Sequence, residues 1–393
     1  MKSLRNLFML VALLAVPAFA QELTSDINLT VLDSSGNPIS GASASVTFEP
    51  TNSTASKSTS SSGSVAFRGL RPGGPYTIEV SYGGNSESLS NVSLTVGDTF
   101  RSKVTLTSGS LEEIVTVASK LNTNKDIGFS TSISSDDISK FSSVTRDLKD
   151  FVRLNPWSVA NDASDGQDAE LSIGAGGSRT NDILVDGASY NDDFGLNASG
   201  YPGQASPINL DSIEQLNVRV APSSIEYSNF EGGVIEIVTK GGTNEFKGSI
   251  YSYDRGDSFV GDSVDGRDID QEFDDTSEGF SIGGPIIKDK AFFFVAFESN
   301  DKTTPINYGP VGSGAPFTQP ITIEQVRQIQ SDTQSVYGFD PLLYSSSNSV
   351  TNENTTLRLD FILDDNHRLQ VNYRETDSEA LRGSNSNPFN YYF

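Results

Sequence analysis

Between Ser212 and Tyr253 the chain changes from one residue pattern to another. Val234 to Lys240 is a β-branched run entered through Gly232-Gly233. Gly241-Gly242-Thr243-Asn244 breaks it, and an alternating, aromatic-rich run extends from Phe246 to Tyr253. Glycine-bounded β-branched runs and period-2 alternation both predict strands. The residues before the break read as a small soluble α+β domain. Those after it read as the wall of a membrane β-barrel. Beyond the N-terminus no run of about 18 apolar residues exists, so no helix there can span a bilayer and any span must be made of strands.

Five strands are predicted after the break: Phe246–Asp254, Glu278–Pro285, Ala291–Ser299, Thr355–Asp364 and His367–Thr376. The last is the clearest. Leu369, Val371 and Tyr373 alternate with Arg368, Gln370, Asn372 and Arg374. Leu357, Leu359, Phe361 and Leu363 repeat the apolar face. A lipid-facing, water-lined wall needs this alternation, and an amphipathic strand of a soluble sandwich shares it. The connections add information. Arg255–Ser277 is long, Ile286–Lys290 short, Asn300–Asn354 long and Asp365-Asn366 short. Outer-membrane barrels alternate long extracellular loops with short periplasmic turns. In the second long loop Thr322 and Gln325 form a capping pair for a helix to about Ser331. A closed barrel needs about eight strands or more, so the sequence reads as the N-terminal part of a longer protein.

Composition narrows the chemistry. The 393 residues carry 27 Lys+Arg against 51 Asp+Glu, for a net charge of -24. Phosphate contacts need a cationic excess, so nucleic acid is not an expected partner. There is no Cys, which removes thiolate nucleophiles, disulfides and Cys-ligated metals. With one His, a Ser-His-Asp arrangement would have to use His367. The aspartates of the Asp254–Asp275 loop do not follow EF-hand spacing and read as a solvated acidic loop. No cofactor or metal is expected.

Lys2 and Arg5 precede an apolar run, Leu7 to Val16, and Ala18-Phe19-Ala20 gives a small-x-small site for cleavage between Ala20 and Gln21. Residues 1–20 therefore read as a signal peptide. Residues 21–108 read as a β-sandwich, with strands near Ile27–Val31, Ser43–Phe48, Val65–Phe67, Tyr76–Val80, Val92–Val96 and Lys103–Leu106, and a Ser/Thr-rich loop from Thr51 to Ser62. LTVLDSSGNPISGASASV and SSSGSVAFRGLRPGGPYTIEVSYGG resemble the carboxypeptidase regulatory-like domain. That resemblance implies an accessory sandwich, used as a spacer or binding module. It implies no peptidase, because the region lacks His for a zinc site.

Residues 109–120 read as a linker containing Leu111-Glu112-Glu113-Ile114-Val115-Thr116-Val117. Its β-branched residues suit strand addition to another protein's sheet edge. Glu112, Glu113, Ile114, Val115, Thr116 and Val117 resemble the box by which outer-membrane receptors engage TonB, with two residues of the usual order exchanged. Residues 121–244 read as the α+β domain. Ser134 and Asp137 predict a capped helix, Thr145 a cap for Arg146–Leu154, Ile183–Val185 a strand ending in the turn Asp186-Gly187, and Ser212–Gln215 a helical turn. The glycines at Gly174 to Gly177 do not form a phosphate loop, because no Lys-Ser/Thr succeeds them. RDLKDFVRLNP, IGAGGSRTNDILVDGASYND, DSIEQLNVRV and SSIEYSNFEGGVIEIVTK resemble, in order, the plug domain of TonB-dependent receptors. The sequence departs from that pattern at Tyr227-Ser228 and at Glu236. EGFSIGGPIIKDKAFFFVAFES resembles a hairpin of Oar-like members.

The fold class expected is therefore mainly β: an N-terminal β-sandwich, an α+β plug, and over 245–393 the first strands of an incomplete transmembrane antiparallel β-barrel. The resemblance implies a TonB-dependent outer-membrane receptor of a Gram-negative cell, with the sandwich in the periplasm. It implies TonB with its ExbB/ExbD motor and outer-membrane lipid as partners. The extracellular ligand it implies leans toward peptide or protein-like material, and Asp192, Asp193 and Phe194 on a plug loop are expected to contact it. The alternative is a secreted or surface adhesin or carbohydrate-binding β-protein.

Overall fold

The computed structural model describes residues 24–107, 128–143, 145–160, 170–225, 227–259, 263–264, 267–268, 273–306, 308–313, 317–339, 347–364 and 367–381. The segment Glu112–Val117 and the Ala20/Gln21 junction lie outside them.

The sandwich has seven strands: β1 (Ser25–Asp33), β2 (Ser43–Phe48), β3 (Ser53–Ser58), β4 (Ser64–Leu70), β5 (Gly73–Tyr82), β6 (Asn85–Leu94) and β7 (Thr99–Leu106). They form sheets of order β4-β1-β7 and β3-β2-β5-β6. Ile27, Leu29, Val31, Val46, Phe67, Ile78 and Val80 alternate inward and close the core, as period-2 alternation on facing sheets requires. Strand β3 occupies a segment that the sequence reads as a loop. Its side chains are largely exposed, so an edge strand of Ser, Thr and Lys carries little hydrophobic signal.

The second domain has strands β8 (Phe129–Ser134), β9 (Ser158–Ala160), β10 (Leu171–Ile173), β11 (Asp182–Val185), β12 (Ala188–Ser189), β13 (Ile213–Val220) and β14 (Gly233–Thr239). Five of them form one sheet of order β12-β11-β14-β13-β8. Helix α1 (Ser135–Lys140) starts at the predicted Ser134/Asp137 capping box. Two predictions are corrected. The Arg146–Leu154 helix shrinks to one turn, α2 (Lys149–Val152). Arg146 sits at φ 50, outside the helical region, and Thr145 bonds Asp150 instead of capping. The helical turn expected at Ser212–Gln215 lies earlier, at Leu210–Ser212, where the Asn209 side chain accepts from Asp211 N; Ile213 already begins β13.

The glycines of the second domain are packing devices. A Cβ on Gly232 would overlap Ile173 O, and one on Gly176 would lie 2.6 Å from Gly232 Cα. The two Gly-rich segments thus meet backbone to backbone, which only glycine permits.

After the break come β15 (Lys247–Gly256), a minor hairpin of β16 (Ser263–Val264) and β17 (Arg267–Asp268), then β18 (Asp274–Ile287), β19 (Ala291–Pro305), β20 (Tyr308–Val311), β21 (Phe317–Thr322), helix α3 (Ile323–Tyr337), β22 (Ser347–Ile362) and β23 (Arg368–Leu381). Helix α3 begins at the predicted Thr322/Gln325 box but runs on to a cap at Gly338. The five long strands pair as an antiparallel meander, β15-β18-β19-β22-β23. Their short connections come after β18 and β22, and the long ones after β15 and β19, as the sequence predicts. Cross-strand register gathers the apolar residues into rows. Ile282, Val295, Leu357 and Tyr373 form one, and Phe293, Leu359 and Val371 the next. This face looks away from the second domain. The opposite face is mixed: Glu298, Asn352, Asn354 and Arg358 are buried there, and so are Phe292, Phe294 and Ala296.

Candidate functional site: the junction of the second domain and the wall

The inward residues of the wall strands meet the end of the second domain's sheet. At the centre is Asp186, 8% exposed, in the turn between β11 and β12. Its φ of 45 and that of Gly187 at 75 make the tight reversal that Asp-Gly favours. The carboxylate accepts bonds from Thr239 N at 2.9 Å and Thr239 Oγ1 at 2.8 Å, both from β14. From the wall, Arg374 Nη1 donates to it at 2.7 Å, while Arg374 Nη2 donates to Val185 O at 2.8 Å. Arg358 donates to Thr239 O at 2.7 Å and pairs with Asp360 at 2.9 Å. Its Nη1 lies 3.9 Å from Asp186. One carboxylate of the second domain is thus set against two wall guanidiniums, and the forked geometry of arginine lets each serve two acceptors.

A second junction has the opposite sign. Arg146 of the second domain reaches Asp211 at 2.7 Å and the buried Glu298 of β19 at 3.1 Å. Its guanidinium lies over the rings of Tyr251 and Tyr253, 4.4 and 4.7 Å from their centroids. Tyr251 OH donates to Glu298 at 2.8 Å. Desolvation works against the Arg146 charge, but Glu298 and Asp211 outweigh it and hold its pKa above the ordinary value. Weaker polar contacts continue the seam: Asn354 Nδ2 to Ser206 O, Tyr190 OH to Thr376 Oγ1, and Gln204 N to Ser378 Oγ. Polar pairs run the length of this seam.

The predicted ligand residues separate into two kinds. Asp192 Oδ1 accepts from Phe194 N at 3.0 Å and Oδ2 from Asn197 N at 2.6 Å. Burial pushes its carboxyl up, but these and further backbone N–H bonds hold it below the usual range. Its acceptor capacity shapes the loop. Asp193 is exposed, and Phe194 and Leu196 are exposed to 86% and 77%. Asp192→Ala is expected to loosen the loop by about 1 kcal/mol, read as faster amide exchange at Asn197, whereas Phe194→Ala should leave that exchange unchanged.

His367 stands in the short β22–β23 turn, its Nδ1 2.8 Å from Asp364. Among the described residues no group of three or more His, Cys, Asp or Glu side chains is placed to hold a metal. Sequence reasoning missed Asp186, Arg358, Arg374, Arg146 and Glu298 as partners. For Glu298, Arg358 and Arg374 the signal was an ionisable residue at an inward position of a wall strand; Asp186 read only as a turn residue and Arg146 only as the start of a helix.

Comparison with known proteins gives the same three-part division. Family models match a carboxypeptidase regulatory-like domain over 26–107, a TonB-dependent receptor plug domain over 123–235 and an outer membrane beta barrel domain over 238–313. The TonB-dependent transporter Oar of Myxococcus xanthus is 33% identical over 137 residues, covering 32% of this chain and 12% of that protein. The probable TonB-dependent siderophore receptor PirA of Acinetobacter baumannii is 29% identical over 188 residues, covering 45% of this chain and 23% of that protein. The chain thus spans less than a quarter of either relative. Similar solved structures include the siderophore receptor PirA from Acinetobacter baumannii, with a TM-score of 0.44 and 20% identity over 64% of this chain and 32% of that one. The outer membrane transporter YddB from Escherichia coli has a TM-score of 0.46 and 11% identity, over 65% and 34%. The sandwich, the plug and the first wall strands thus match, in this order, a carboxypeptidase regulatory-like domain, a TonB-dependent receptor plug domain and an outer membrane beta barrel domain.

Proposed function

We propose that these domains serve energised uptake of an extracellular ligand through a plugged β-barrel. The observation that carries this reading is the seating of the plug. Its sheet is tied to the inner face of an alternating wall by separable ion pairs, while the outer face of that wall is apolar. Such a plug is retained at rest and is released by breaking polar contacts that water can replace, with no covalent step. The long connections after β15 and β19 lie outside the cell, the short ones face the periplasm, and the sandwich is periplasmic. The ligand meets Asp193 and Phe194 on the plug and the α3 loop. The Oar-like hairpin favours peptide or protein-like material, whereas the PirA relative is named for a siderophore. Residues Glu112 to Val117 pair as a strand with TonB, which transmits force from ExbB/ExbD. Cleavage between Ala20 and Gln21 frees the mature chain.

The test uses the full-length receptor. It is expected in the outer-membrane fraction and to migrate differently when heated. Val115→Pro removes a ladder N–H from the added strand and should weaken binding to the isolated periplasmic domain of TonB by about tenfold. Recovery as a soluble secreted monomer, or undiminished TonB binding, would overturn the proposal and favour the adhesin reading.

A further inference from the structure

The sandwich touches both the plug and its tether, and it does so through polar groups. Gln215 of β13 accepts from Val96 N at 3.0 Å and donates to Leu94 O at 3.3 Å. Two residues on, Asn217 is buried beside its cross-strand partner Glu236. Two further, Arg219 donates to Val96 O at 2.7 Å while pairing with Glu236 at 3.1 Å. These three share one face of β13, opposite the plug core, because side chains alternate along a strand. At the tether, Asn244 N donates to Pro50 O at 2.8 Å. Arg71 of the sandwich and Asp360 of the wall both lie against Gly241, each 2.6 Å from where its Cβ would be.

The apolar cores tell the other half. The sandwich core draws only on residues of β1 to β7 and their loops, and the plug core only on residues from Ile133 to Ile237. Neither crosses the interface. Separating the two therefore breaks neither core. Burial pushes the Glu236 carboxyl up against the pull of Arg219, and Asn217 is buried beside it. Opening hydrates both. Polar inter-domain contacts of this kind permit relative motion by default.

We propose that the sandwich is a releasable strap. In the closed state it covers the polar face of the plug sheet and ties that sheet to the tether and the wall. It leaves as one folded unit, breaking the Gln215 and Arg219 contacts together with those of Arg71 and Pro50. This goes beyond uptake as such, since the strap can be tested without ligand or TonB.

The experiment is amide hydrogen exchange on the full-length receptor in detergent. Val96 and Asn244 report the two ends of the strap, and the strands around Ile78 and Ile237 report the two cores. Concerted opening predicts that Val96 and Asn244 exchange at matched protection, well ahead of both cores. Gln215→Ala removes two hydrogen bonds and should speed exchange at Val96 about tenfold. Because the strap opens as a unit, Asn244, which Gln215 does not touch, should speed up equally. Arg71→Gln acts from the other end and should accelerate Val96. Two outcomes overturn the strap: each variant affecting only its own end, or Val96 and Asn244 exchanging no faster than the cores. Neither outcome bears on uptake, which the TonB-binding assay tests separately.

Discussion

Asp186→Ala is expected to destabilise the plug–wall junction by about 3–5 kcal/mol. The carboxylate accepts from Thr239 twice and from Arg374 once, and it lies in the field of Arg358. Removing it leaves two guanidiniums buried at the seam. Asp360 still compensates Arg358, so most of the loss falls on Arg374, which keeps its bond to Val185 O. The pair is not a net source of great stability, because bringing both charges out of water cost much of their attraction. Breaking one side is costly because the other cannot leave. The urea midpoint of the full-length receptor measures the loss. Asp186→Asn keeps a residue that tolerates the left-handed backbone of the turn and should cost less than Ala. An Asp186/Arg374 double-mutant cycle should show coupling, since neutralising Arg374 as well removes the stranded charge. If Asn cost nothing while Ala lost stability without coupling to Arg374, the turn geometry alone would be responsible.

The sequence made the wall legible because its constraint is local. A strand between lipid and a polar interior must alternate residue by residue, and Leu369 to Arg374 do so without reference to anything distant. Both capping boxes were legible for the same reason: Ser134 with Asp137, and Thr322 with Gln325, act within one turn. Arg146 shows where this stops. Its neighbours Leu148, Phe151 and Val152 share a helical face, yet its backbone leaves the helix and its side chain reaches Glu298, 152 positions away. No local pattern encodes that distance. Glu236 is similar. It stands in the sequence as a departure from the plug pattern, and only the β13–β14 register brings Arg219 to its carboxylate. The wall residues of the junction were visible as inward polar positions, but their partners depended on how the domains meet.

Gly242→Ala is the second large effect expected, a loss of about 1–3 kcal/mol toward the upper end. The sequence presents Gly241-Gly242-Thr243-Asn244 as the break that joins plug to barrel, free either to flex or to hold fast. The structure makes it a clamp. A Cβ at Gly242 would overlap Phe293 O and would lie 2.7 Å from Gly284 O and 2.8 Å from Phe292 Cβ. Gly284 and Phe293 are paired across β18 and β19, so neither carbonyl retreats without breaking the wall ladder. Gly241 is the internal control. Its Cβ would meet Arg71 Nη2 and Asp360 Oδ2, side-chain ends that can shift without breaking a strand ladder, so Gly241→Ala should cost less than Gly242→Ala. The two urea midpoints decide the matter, provided the slope is unchanged. A clamped tether fixes the pivot about which the plug must rearrange and leaves the Asp186 and Arg146 contacts as the parts that yield. Equal tolerance of alanine at both glycines would mean that the tether stands off the wall, and the pivot would then have to lie upstream, in β14.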